Sequence, residues 1–259
     1  MAKWTAFPYD NSAFVHTLAS LKKAWPKLHK GDAEPWPKDE AVQQAWIHFH
    51  AGDFKKAFDA GLKAGGSAGI NCANKAQAIY ANYLEKNEKT KLEMFLAVAQ
   101  RAEALQAEDA ENPNAFYWQA YALGRYGQGI SVAEALAEGL GVTIKSALET
   151  TIELAPKHAD AHIALGTFHA EVIDKVGALI ARMTYGARKE TCLRLFELAV
   201  QLTPQSASTL MEYARALLIL EGDACSEEAA RLFERATQCS ALDAQQRLDL
   251  DLAQAEMAS

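Results

Sequence analysis

A short joint recurs along this chain. Residues 154 to 161 read "LAPKHADA", residues 202 to 208 read "LTPQSAS", and the related "ENPNA" stands at 111 to 115. Each follows one apolar stripe of three- and four-residue spacing and opens another, the mark of helices. Proline stops the helix before it, since it has no N–H to donate and its ring clashes with the preceding turn. A single helix pair cannot bury its own apolar face. Pairs that recur at intervals therefore stack, each covering the next. The expected fold is all-α: an α-α superhelix, a solenoid of three to five irregular helix pairs.

The rest of the chain agrees with an all-helical reading. Alanine is abundant, runs of β-branched residues are short, and clean period-two alternation is missing. "NSAFVHTLASLKKAW" spaces Phe14, Leu18, Leu21, Trp25 and Leu28 as one helical stripe, with Asp10, Asn11 and Ser12 as candidate caps. Pro35 and Pro37 in "GDAEPWPKDE" break the chain. Residues 1–34 are thus expected to form an N-terminal helix and linker, and 35–259 the helical repeat domain. Two helices should meet at Gly52-Asp53, with more over about 71–86 and 90–110. The polar run near the C-terminus suits a capping helix over about 243–257, because a terminal repeat needs a polar outer face.

A second pattern accompanies the joints. Cys192, Phe196 and Ala199 precede Pro204, and Ala229, Phe233 and Ala236 repeat that small–aromatic–small spacing near the C-terminus. After Pro156 come His162, Leu165, Gly166 and His169; after Pro113 the matching slots hold Trp118, Tyr121, Ala122 and Arg125. These residues resemble the tetratricopeptide repeat, in which small side chains let two antiparallel helices approach and an aromatic fills the groove between them. By that resemblance His162 and His169 fill the aromatic packing slots. The stretch from about 112 to 204 resembles a bacterial group of tetratricopeptide-fold proteins to which no activity is assigned. More distantly it is similar to the regulator of microtubule dynamics family. The prolines lie 43 and 48 residues apart, against about 34 in the family repeat. The surplus is carried by two insertions, "GQGISVAEALAEGLGVTIK" at 127–145 and "VGALIARMTYGARKE" at 176–190. They are expected on one rim of consecutive repeats, as functional loops or lids.

Catalytic and metal signatures are lacking, so no catalytic residue, cofactor or metal is expected. There is no G-x-S-x-G and no H-E-x-x-H. His162 and His169 stand about 10 Å apart along a helix axis, too far to share a zinc ion, and His48 and His50 point to different sides. "GGSAG" at 65–69 lacks the Gly-Lys-Ser/Thr of a phosphate loop. Gly127, Gly129 and Ser131, with Glu134 at capping-box distance, form a candidate anion cradle at a helix start; the competing reading is a plain turn. The four cysteines, Cys72, Cys192, Cys225 and Cys239, show no pairing motif and read as buried thiols of a reducing compartment.

A net charge of -7 and a pI near 5.5 argue against nucleic acid as partner. No apolar run reaches the ~20 residues of a membrane span, and the N-terminus lacks the pattern of a secretory signal. The expectation is a cytoplasmic protein that binds a protein or peptide in a concave groove. Tyr117, Arg125, Tyr126, Arg182, Tyr185 and Arg188 would line groove and rim, since aromatic residues and Arg dominate binding hot spots. The alternative is a carrier or receptor for a small ligand or anion, with a pocket beneath the two insertions.

Overall fold

Helix after helix follows from the caps and stripes of the sequence. The computed structural model describes residues 4–257, and no strand occurs among them. Ser12–Phe14 is a single 3-10 turn, and α1 runs Leu18–Leu28. The expected caps therefore fail for α1: its N-cap, five residues beyond Ser12, is Thr17, whose side chain and that of Ser20 form a reciprocal capping box. Helices α2 (Glu40–His50) and α3 (Phe54–Ala64) flank Gly52-Asp53 as expected. Next come α4 (Gly66–Tyr83), α5 (Glu88–Glu108), α6 (Pro113–Gln128), α7 (Val132–Ala137) and α8 (Leu140–Leu154). Beyond Pro156 lie α9 (Ala159–Val176), α10 (Ala178–Ile180), a π turn over Ala181–Tyr185, and α11 (Lys189–Leu202). The chain closes with α12 (Ala207–Glu221), α13 (Ser226–Thr237) and α14 (Ala244–Met257).

The joints behave as helix breaks with built-in caps. Pro113 is the first residue of α6, and Asn112 accepts from the backbone N–H groups of Asn114 and Ala115. Two residues after Pro156 and Pro204, His158 and Ser206 take the same role for α9 and α12, accepting from Ala161 and Thr209. Pro156 and Pro204 are thus one joint repeated.

Packing divides the chain into two compact units: one of residues 1–29, 34–155 and 242–245, the other of 30–33, 156–241 and 246–259. In the first, α2 pairs with α3, α4 with α5, and α6 with α8, while α2, α4 and α6 neighbour one another in turn. In the second, α9 pairs with α11 and α12 with α13, and α9 packs beside α12. Each unit is an all-α, tetratricopeptide-like stack of helix pairs, the class read from the sequence. The N-terminal segment is tied into the first unit. Trp4 stacks on Tyr80 at 4.1 Å, and the Asn11 amide donates to the Ala51 carbonyl at 2.8 Å. In the second unit, the N–H of Asp160 donates to the carbonyl of Gly31.

Glycines and small residues set the tightest crossings. A Cβ on Gly61 would lie 2.6 Å from the Gly69 carbonyl oxygen, and one on Gly69 would lie 2.7 Å from that of Gly61, so α3 and α4 touch backbone to backbone. At Gly166 of α9 an added Cβ would strike the Phe196 ring at 2.7 Å. That ring fills the groove between α9 and α11, flanked by buried Cys192 and Ala199. The small–aromatic–small spacing has the packing role that the repeat resemblance implied. Buried His162 and His169 lie along the same helix. In α14, Ala253 joins the core of α12 and α13, and Arg215 of α12 pairs with Glu212 and Glu256.

Candidate functional site

Both insertions fall at the same topological place, between the first and second helix of a pair: α7 between α6 and α8, α10 with the π turn between α9 and α11. The second is built as follows. Gly177, with φ of 79°, ends α9 and turns the chain out; Gly186, left-handed at φ 65°, turns it back. Non-glycine side chains disfavour that region. The segment stands on small feet. Ala181 and Ala187 are buried, and the Ala187 N–H donates to the Ala181 carbonyl at 3.1 Å. The ring of Tyr185 meets Phe168 of α9 edge-on at 6.4 Å, and His169 Nδ1 accepts from the Arg188 N–H at 3.2 Å.

What the feet hold up is apolar and cationic. Leu179 is 72% exposed and Met183 78%, with Ile180 beside them. Lys175, Arg182 and Arg188 are exposed too, and none forms an ion pair among the described residues. Lys189 is paired with Glu221. A π turn is rare, and such turns are frequent at functional sites. Contiguous exposed apolar patches are the kind of surface at which proteins tend to meet partners.

The first insertion is the acidic counterpart. No residue of α7 is buried, and Val132, Leu136 and, further on, Val142 are exposed. Ser131 and Glu134 form the expected capping box. The expected cradle reduces to that box. Gly127 lies inside α6 and Gly129 is its C-cap, packed against Leu92, so no glycine loop surrounds the helix start. The Ser131 hydroxyl and the Glu134 carboxylate satisfy each other at 2.9 Å.

The remaining candidates of the first unit divide by burial. Tyr117 is only 5% exposed and packs edge-on to Trp118 at 4.9 Å. It fills core rather than lining a surface, because α6 is covered by both α5 and α8. Arg125 lies over the Tyr121 ring at 5.4 Å and donates to Gln128. The Tyr126 hydroxyl donates to Glu138 of the insertion at 3.4 Å. Partial burial and the nearby carboxylates of Glu138 and Glu134 push that phenol up. Arg182, Tyr185 and Arg188 all lie on the second insertion, in the second unit.

Two polar clusters went unread in the sequence. Buried Glu34 accepts from the amides of Asn71 at 3.0 Å and Asn114 at 2.6 Å, and Trp25 donates to its backbone carbonyl at 2.8 Å. Beside Asn71 on α4, Asn74 is wholly buried with neither amide atom partnered. The signal was Asn71, Asn74 and Lys75 on one face of an otherwise apolar helix. The second cluster is a chain of buried groups: Asp243 accepts from His50 Nδ1 at 2.8 Å, and His50 Nε2 faces His29 Nε2 at 3.2 Å. Trp25 stacks on His29 at 3.8 Å. Among the described residues no three ligating side chains are placed to hold a metal, and no helix is long and apolar enough to cross a membrane.

Paired antiparallel helices, proline joints and the small-residue crossing at Gly166 define a tetratricopeptide-like repeat protein. The model of the family described as Regulator of microtubule dynamics protein 1-3 matches residues 68–257, well over half of the chain, which belongs to that family. The chain is similar in structure to a thermophilic TPR protein of Thermus thermophilus. The TM-score is 0.59 at 14% identity, over 83% of this chain and 97% of that one. At that identity the likeness concerns the fold alone. No curated protein matches the sequence.

Proposed function

We propose that this protein is a non-enzymatic scaffold that holds an extended peptide or a partner helix. The face formed where first helices of successive pairs neighbour one another would receive it, with the 176–190 insertion as a gripping rim. The observation that carries this reading is the raised turn itself: exposed Leu179, Ile180 and Met183 beside Arg182 and Arg188, cations with no ion pair among the described residues. Apolar side chains ringed by guanidinium groups suit a protein partner with an acidic, partly apolar segment. Helical repeats of this kind suggest protein interaction in general, and membership in a family named for regulating microtubule dynamics fits binding better than catalysis. Met183 would let the surface adapt to differing partners.

The test compares wild type with Arg182→Ala/Arg188→Ala and with Arg125→Ala in capture from native lysate, followed by quantitative titration of the captured partner. The double variant should bind about tenfold more weakly with an unchanged melting temperature. Arg125→Ala should also weaken binding, more modestly, since its guanidinium is already engaged over Tyr121. Unchanged binding, or a fall in melting temperature that accounts for the loss, would overturn the proposal.

A further inference from the structure

The two insertions are opposite in charge. Residues 127–145 contain Glu134 and Glu138 against Lys145, which is paired with Glu149; residues 176–190 contain Arg182, Arg188 and Lys189 against Glu190. Each also exposes large apolar side chains: Val132, Leu136 and Val142 on the acidic one, Leu179, Ile180 and Met183 on the basic one. The basic segment stands out on a chain whose net charge is -7. An apolar knob ringed by cations is matched by an apolar knob ringed by anions, because like charges would repel and isolated charges would lose water without a partner. Both halves of that match are carried by every copy of the chain, always at equal concentration.

We infer that the basic insertion docks on the acidic insertion of a second copy, so that the protein self-associates head to tail. This deepens the reading of 176–190 as a contact surface and rests on it. The interface is heterologous: the patch used on one copy differs from the patch used on the next, so each end of a dimer keeps one free half. Chain growth is limited by general repulsion between copies that each carry a net charge of -7. Contacts of this kind weaken as salt screens the pair.

The experiment is sedimentation velocity on the full chain between roughly 1 and 100 µM, the range in which a weak contact populates. Two variants are used. Arg182→Glu/Arg188→Glu makes both insertions acidic. Leu136→Lys/Glu138→Lys makes both basic, and it leaves the Glu134 capping box in place. Wild type should rise from the 28.2 kDa monomer mass toward twice that value with concentration, and should fall back in high salt. Each variant alone should stay monomeric. Their equimolar mixture should restore a 1:1 complex, which a merely sticky patch would not do. Circular dichroism melting of both variants checks that the fold is intact. A wild type that stays monomeric throughout, or a mixture that restores nothing, overturns the inference. If wild type is monomeric while Arg182→Glu/Arg188→Glu still abolishes capture of a foreign protein, self-association alone falls. If that variant changes neither, the binding reading falls with it.

Discussion

Gly61 and Gly69 show what a single hydrogen atom decides. Where two backbones touch, a methyl group has nowhere to go, and Gly61→Ala should lower stability by about 1–3 kcal/mol, the usual cost of overpacking. Gly124 is the built-in control: nothing lies within 4 Å of a Cβ there, so Gly124→Ala should be neutral or stabilising by up to ~1 kcal/mol, as propensity predicts. Urea unfolding of both variants checks the pair. Glu34 makes a further case. Glu34→Ala removes the acceptor that two buried amides share and should cost about 1–3 kcal/mol, read by the same titration. Neither effect was legible in the sequence. Glycine in "DAGLKAGGSAG" reads as punctuation, and only the crossing of α3 on α4 shows that Gly61 is a packing residue. Glu34 sits among prolines and reads as linker, and its partners Asn71 and Asn114 are far away in sequence.

At the scale of elements, period and proline carried most of the information. The helix pairs, the joints at Pro156 and Pro204 and the C-terminal helix were all readable, because apolar spacing is a local property. The start of α1 was not: Asp10, Asn11 and Ser12 are good caps, but Thr17 with Ser20 supplies both halves of a capping box. The insertions were found by excess length, and the capping box of Ser131 and Glu134 was readable, but the π turn of the second insertion was not. A π turn has no compositional signature, and α7 buries none of its residues. That makes α7 separable from the core. Ser131→Ala should melt α7 locally, seen as faster hydrogen exchange over residues 132–137, while the global melting temperature stays unchanged. A large global loss would mean that α7 supports α8 and the core beneath it. Among the site candidates, Tyr117 was misjudged by spacing because α6 is covered on two sides, whereas Arg182, Tyr185 and Arg188 are gathered by one short turn.

For the whole molecule, chemistry follows burial. Burial raises the Cys72 thiol well above its usual range and pushes Cys192 up to about 12. Cys225 and Cys239 are only half-buried. Thiol labelling at pH 8 should therefore modify two cysteines in the native protein and four in urea. Rapid labelling of Cys72 or Cys192 without denaturant would contradict the packing described. Long-range order shows in the Asp243–His50–His29 chain, whose outer members are far apart in sequence. Asp243→Ala should leave His50 Nδ1 buried without an acceptor and cost about 1–3 kcal/mol. Faster hydrogen exchange should appear in α2, residues 40–50, rather than only near the substitution. That bond also puts the birth of the protein on a clock. Residues 50 and 243 are 193 positions apart, which at ribosomal speeds is roughly 10 to 40 seconds. Until Asp243 emerges, the imidazole of His50 must make do with water, so the first unit waits on a segment made 193 residues later before it can close.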